Sequence, residues 1–206
     1  MSELTESEQN GRSLNVSQSI GSETNMPGLQ RVRMSYDDWL ALPEKPKTEW
    51  VDGEVVVNSP ASVPHQIASH RLTNVLEAAL SGLLVVQDVA VEVPNNRTRV
   101  PDISVIDRVP EGFAVTDPPR LVVEILSRST RGEDTVRKSG EYASAGIGQY
   151  WLLDPELYAL DIYANESGGW SPLVHLDDHA PDGQVRVGEC TVALRLAELL
   201  IMAAPA

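Results

Sequence analysis

Beyond residue 34 the hydrophobic positions fall into short blocks whose period changes from one block to the next, and each change predicts an element. Ser35-Tyr36-Asp37-Asp38-Trp39-Leu40 places a serine three residues before an acid, a capping-box-like start to a short helix that Pro43 closes. Glu49-Trp50-Val51-Asp52-Gly53-Glu54-Val55-Val56-Val57 predicts two strands about a turn, because Asp-Gly is a strong hairpin signal. Ile67, Leu72, Val75, Leu76 and Ala79 form a helical stripe, so residues 64–80 are expected to be a helix. Residues 84–93 are strand-like, Asn95-Asn96 makes a turn, and residues 99–106 form the next strand. Residues 120–126 are a nearly unbroken apolar run, the pattern of a strand covered on both faces. N-cap candidates in Ser127-Arg128-Ser129-Thr130 precede a helix over 132–145, with Gly146 as its C-cap. Residues 149–153 read as a strand bounded by Asp154-Pro155, residues 158–163 alternate, turn-rich sequence continues to 185–187, and residues 194–202 predict a closing helix. This order implies an α/β domain with one mixed sheet and helices packed on it.

With 206 residues, 42% of them hydrophobic, the chain can bury one sizeable core. The expected organisation is a disordered tail over residues 1–33, rich in Ser, Thr, Asn, Gln and Glu, followed by one domain over 34–206. No basic start leads into an apolar stretch and no apolar run is long enough to span a bilayer, so a soluble, cytoplasmic protein without a membrane partner is expected. Cys190 is the single cysteine, which excludes an intrachain disulfide or a cysteine-built zinc cage.

A net charge of −14 argues against holding nucleic acid by bulk electrostatics. The charge is unevenly spread, however. Residues 97–138 carry eight basic side chains against seven acids, a balance of +1, whereas residues 139–206 carry two against ten, a balance of −8. A phosphate could therefore approach the first segment, where Arg128 and Arg131 are candidate substrate contacts; the plainer alternative is that its arginines pair with neighbouring acids.

Within that segment, Glu124 lies inside the apolar run. An unpaired carboxylate there costs several kcal/mol or takes up a proton, so something must compensate it. A buried Arg or Lys would do so, as would a metal ion shared with a second carboxylate, for which Asp102 is the nearest candidate. Phosphodiester hydrolysis needs a positioned, activated water and an electrophile that takes charge from the transition state. Mg²⁺ or Mn²⁺ suits this, held by Asp102, Glu124 and the backbone carbonyl of Ile125, with Lys138 orienting or deprotonating the water. The plainer alternative for Lys138 is an intrahelical ion pair with Asp134 or Glu141.

These residues resemble the PD-(D/E)XK nuclease superfamily, and more closely its Uma-type branch of restriction-endonuclease-like proteins. The matching text runs from Glu49-Trp50-Val51-Asp52-Gly53-Glu54 through Ser59-Pro60, His65, Arg99-Val100-Pro101-Asp102, residues 121–127, Ser129-Thr130-Arg131, Asp134, Lys138 and Tyr142. It ends with Gly146-Ile147-Gly148-Gln149-Tyr150-Trp151 and Asp154-Pro155, and covers nearly all of residues 34–165. The resemblance implies a restriction-endonuclease-like fold, a mixed β-sheet flanked by helices, and a Mg²⁺-dependent endonuclease acting on DNA. The superfamily pattern sets its lysine two residues after the second acid, where this chain has Leu126; the resemblance implies that the role has moved to Lys138 on the following helix. Glu49 stands where nucleases of this fold often carry an additional acid, and His65, at a helix start, could touch substrate. Packing is the plainer role for Tyr142. Arg128 stands where Pro is common in the family and Gln149 where Glu is common.

Other chemistries find little support. His175 and His179 flank Asp177 and Asp178 in a segment that reads as a solvated loop, nothing positions Cys190 as a nucleophile, and neither a phosphate-binding Gly-rich loop nor a dinucleotide fingerprint is present. Two function classes remain. One is a metal-dependent DNA endonuclease, expected as a homodimer because two symmetric copies readily cut both strands. The other is a non-catalytic nucleic-acid- or protein-binding regulatory module that keeps the nuclease fold.

Overall fold

Residues 29–43, 47–128 and 131–201 are described by a computed structural model. The first strand, β1 (Leu29–Arg33), falls within the stretch expected to be a disordered tail; residues 1–28 of that stretch lie outside the described residues. Its polar sequence hides the strand because the strand is held by a backbone ladder to β3 (Glu54–Asn58) and by Arg31, which reaches Glu54 at 3.7 Å and Glu133 at 3.1 Å. α1 (Tyr36–Leu40) starts at Ser35, whose hydroxyl accepts from the Asp38 N–H, as the capping pattern predicts. β2 (Thr48–Val51) joins β3 through Asp52 and Gly53, whose φ values of 54° and 83° are the positive pair that a tight hairpin turn requires.

α2 (Val63–Ala79) is capped by Ser62 and buries Ala68, Leu72 and Leu76, so the predicted stripe is its core face. The expected strand over 84–93 is two strands, β4 (Leu84–Gln87) and β5 (Val91–Val93), in different sheets; Asp88, at φ 53°, turns the chain between them. The expected strand over 99–106 likewise divides into β6 (Arg97–Arg99) and β7 (Ile103–Ile106). Pro101 lies at that break, and a residue without an N–H cannot continue a ladder.

β8 (Leu121–Ile125) leads into a helix that opens at Arg131, is wound as a π-helix over Glu133–Lys138 and continues into α3 (Ser139–Ser144). Ser129 and Thr130, two of the expected caps, lie outside the described residues. The chain returns through Gly146, at φ 76°, into β9 (Gln149–Asp154), which runs parallel to β8. β10 (Ala159–Glu166), β11 (Gly169–Leu176), β12 (Asp182–Val187) and β13 (Cys190–Arg195) follow, and α4 (Leu196–Leu199) is only one turn long. The helix expected over 194–202 is thus confined to Leu196–Leu199, and Leu194 and Arg195 end β13: Val192 and Leu194 alternate inward along that strand, a period of two that a short apolar stretch does not distinguish from a helix.

The central sheet is mixed and runs β11-β10-β9-β8-β7-β4; a second sheet runs β1-β3-β2-β6-β5, and β12 and β13 form a hairpin. Along β8 the side chains alternate between two cores. Leu121, Val123 and Ile125 pack with Leu72 and Leu76 of α2, whereas Val122 joins Tyr142, Ile147 and Tyr150 on the opposite face. Glu124 is on that opposite face, beneath the π-helical segment. Among the described residues no helix is long and apolar enough to cross a membrane.

Candidate active site

β7 and β8 are antiparallel with Ile103 opposite Val123, and Asp102 and Glu124 are the residues next outward on the two chains. The two predicted acids are close enough for the Asp102 charge to act on Glu124. The Ile125 N–H donates to Asp102 Oδ2 at 2.7 Å and ties that carboxylate to the end of β8. The break that divides the predicted 99–106 strand is what releases Asp102 from the ladder to make this contact.

Lys138 reaches back from the π-helical segment. Its ammonium lies 3.1 Å from Glu124 Oε1, 3.0 Å from Glu49 Oε1 and 3.1 Å from Asp134 Oδ1, with the side chain only 5% exposed. The intrahelical pair with Asp134 therefore exists, but as one of three contacts. Glu141 is turned instead to Arg97 and Arg99. Tyr142, assigned to packing from the sequence, also donates its hydroxyl to Glu124 Oε1 at 2.7 Å.

Glu49 is fully buried between two cations. Its Oε2 takes Arg99 at 2.9 Å and its Oε1 takes Lys138 and the Val100 N–H, the latter at 3.1 Å. Burial alone would raise this acid, but Lys138 and Arg99 outweigh it and hold Glu49 down at about 2. Glu124 moves the other way. Burial pushes it up to about 8 and the neighbouring Asp134 and Asp102 charges add to this, against the attraction of Lys138. Lys138 stays strongly protonated, because the attraction of Glu124, Glu49 and Asp134 exceeds its own burial cost.

Asp102 has a different set of partners. Lys47 donates to its Oδ1 at 2.7 Å and His65 Nε2 lies 3.2 Å from its Oδ2. Burial would raise Asp102, yet Lys47 and His65 hold it well below the usual carboxylate range. For its Nε2 to donate, a neutral His65 must carry its proton there, and its Nδ1 is buried without a hydrogen-bond partner among the described residues. The candidate substrate residue His65 is thus drawn onto Asp102. Arg128 and Arg131 are not drawn to the acids of this site: they pair with Glu156 at 2.9 Å and Asp154 at 2.5 Å.

Sequence reasoning gave no role to two residues of this cluster. Lys47 stands two positions before Glu49 in a stretch whose pattern carries no cue to its partner. Arg99 is fully buried, pairs with Glu133 at 3.0 Å as well as Glu49 and Glu141, and ties the second sheet to the π-helical segment. Its only sequence signal is its place directly before Val100-Pro101-Asp102.

Asp102, Glu124, Glu49 and Asp134 meet Lys47 and Lys138 at the strand ends, and Arg99 reaches Glu49, Glu133 and Glu141 beside them. Among the described residues, no three His, Cys, Asp or Glu side chains converge into a metal cage. A divalent ion here would rest on two carboxylates, the Ile125 carbonyl, water and substrate oxygens, which is the habit of magnesium.

A mixed sheet with two acids at its strand ends and a lysine returning from the crossover helix defines a restriction-endonuclease-like protein. The family model of Uma2, described as "Putative restriction endonuclease", matches residues 35–194, and the chain belongs to that family. It is 29% identical over 156 residues to "Uncharacterized protein slr1290" of Synechocystis sp., covering 70% of this chain and 81% of that protein. The crystal structure of "a putative nuclease belonging to DUF820" from Anabaena variabilis superposes with a TM-score of 0.65 at 20% identity, covering 79% of this chain and 95% of that one, a likeness of fold.

Proposed function

We propose that the protein is a divalent-metal-dependent endonuclease that hydrolyses phosphodiester bonds in DNA. The observation that carries this reading is the meeting of Asp102, tied to the end of β8 by the Ile125 N–H at 2.7 Å, with Glu124 and the Lys138 ammonium on it at 3.1 Å. Asp102, Glu124 and the Ile125 carbonyl would hold the cation, Mg²⁺ or Mn²⁺. When bound, it supplies an electrophile for the phosphoryl oxygens and makes water more acidic. Lys138 orients the attacking water over the strand ends. Glu49 fixes that ammonium through one oxygen while Arg99 holds the other, and Tyr142 holds the Glu124 oxygen that Lys138 also contacts. Water adds to phosphorus and the ester oxygen leaves with a proton. Cutting both strands calls for a symmetric pair of copies, with the cytoplasm as the setting.

The experiment is cleavage of plasmid and linear DNA with Mg²⁺ or Mn²⁺, with a chelator, and in Asp102→Asn, Glu124→Gln and Lys138→Met. Each substitution is expected to lower cleavage on the order of 10²–10⁴-fold while circular dichroism keeps the native fold. Cleavage that survives in Glu124→Gln, or that ignores the chelator, overturns the reading. The net charge of −14 favours a second reading, a binding module that keeps the fold without catalysis. It would show itself as metal-independent binding of DNA or protein without cleavage.

A further inference from the structure

Lys47 is the ammonium that the proposed mechanism does not use, and it occupies an informative place. A carboxylate offers about four acceptor directions. On Asp102, the Ile125 N–H and His65 Nε2 take the two on Oδ2, and Lys47 sits on Oδ1 at 2.7 Å. A divalent cation that uses Asp102 must therefore approach Oδ1, where it meets a positive charge on the same atom. Two cations on one oxygen repel, and Lys47 is the one with a second carboxylate to move to.

The surroundings of Lys47 provide for its departure. Its ammonium also lies 2.8 Å from Asp88 Oδ1, and the Asp88 side chain is 59% exposed, outside the buried cluster. Asp88 is held in register with the site, since its N–H bonds the Asp102 carbonyl at 3.4 Å, at the point where the chain crosses between the two sheets. Lys47 is itself 24% exposed on a long flexible stem just before β2. Lys138 has no such exit, being enclosed by three acids.

We propose that Lys47 is a built-in occupant of the metal site: its ammonium neutralises Asp102 in the metal-free protein and is displaced onto Asp88 when a divalent cation binds. Lys47 is thus a positioning residue that keeps Asp102 ionised and in place until the cation arrives, and Asp88 is its second anchor. This inference rests on the metal-site reading above.

The test is calorimetric titration of the full chain with Mn²⁺, together with amine-reactive ester labelling read by mass spectrometry, which is clean because Lys45, Lys47 and Lys138 are the only lysines. Lys47→Met is expected to bind Mn²⁺ about tenfold more tightly than wild type. Asp88→Asn is expected to weaken binding in the wild-type background and to lose that effect in the Lys47→Met background, where no displaced ammonium needs an anchor. In the wild-type protein, saturating Mg²⁺ is expected to raise labelling of Lys47 several-fold and to leave Lys138 unchanged, a measurement that needs no variant to fold. Equal Mn²⁺ affinity in wild type and Lys47→Met, an Asp88→Asn effect that persists without Lys47, or labelling of Lys47 that magnesium does not change while Mn²⁺ still binds, each overturns the inference and leaves the metal site standing. Failure of Mn²⁺ to bind either wild type or Lys47→Met overturns the metal-site reading itself.

Discussion

Two lysines stand over adjoining acids at the ends of β7 and β8, and they are held in contrasting ways. Lys138 comes from the crossover helix, touches three carboxylates and is sealed; Lys47 comes from the segment before β2, touches two and keeps a route to solvent. In a low-dielectric interior a charge that loses its partner cannot fall back on water. The sealed ammonium is therefore a fixed part of the architecture, and the open one can be exchanged. The acids differ as well: burial raises Glu124 towards protonation against the pull of Lys138, whereas Glu49 and Asp102 are held firmly ionised by their cations.

The largest effect expected from this contrast is on stability. Lys138→Met removes the ammonium shared by buried Glu124, Glu49 and Asp134 and is expected to cost about 3–5 kcal/mol in urea denaturation. Lys47→Met leaves Asp102 with Ile125 and His65 and is expected to cost roughly 1–3 kcal/mol. The reverse order of these losses would break the distinction between a sealed and an exchangeable ammonium.

An intermediate effect is expected in the pH dependence of the metal-free protein. Glu49 is ordinarily near 4.5 and lies at about 2 when folded. Its stabilisation is fully present above 4.5 and is lost as pH falls through 2. Glu124 has the opposite sign. At about 8 when folded against 4.5 unfolded, it binds a proton in the native state that the unfolded chain has already released, so stability falls as pH rises from 4.5 to 8. Denaturation midpoints measured across pH should show both limbs, and Glu124→Gln should remove the fall above 4.5 while leaving the acid limb. An unchanged slope in Glu124→Gln would place the titration elsewhere.

The smallest effect is expected at a surface pair. Arg120 and Asp107, 3.0 Å apart and both more than half exposed, offer a control: Arg120→Ala should change stability by no more than about 0.5 kcal/mol. A loss as large as that of Lys47→Met would show that exposure is not what sets the scale.

Much of this arrangement is legible in the sequence because single residue types mark it. Ser35, Asp52-Gly53 and Gly146 signal a cap, a hairpin and a helix end, and a lone Glu within 121–126 signals a buried charge that needs compensation. Lys138 could be picked out because the chain resembles a family in which the lysine sits on that helix. Its three acid partners are less legible, since Glu49 is 89 positions away in the chain and meets it only through the second sheet. Lys47 and Arg99 were assigned no role for the same reason: a charged residue between short strands looks alike whether it faces solvent or a carboxylate. The two strand breaks at Asp88 and Pro101 were hidden by apolar flanks that read as continuous strands, although both breaks bring the chain to the site.

The wide winding of Glu133–Lys138 has a consequence for the length of this segment. A π-helical turn accommodates one more residue than an α-helical turn, and here residues 135–137 face outward while Asp134 and Lys138 both point in. Removing any one of these six residues would let the backbone relax to ordinary winding, but it would swing the preceding part of the helix by about 100°. The helix would gain regularity and lose its grip on the strand ends. Members of the family that keep Asp134 and Lys138 in these roles should therefore align here without gaps, whereas their loops can vary freely in length.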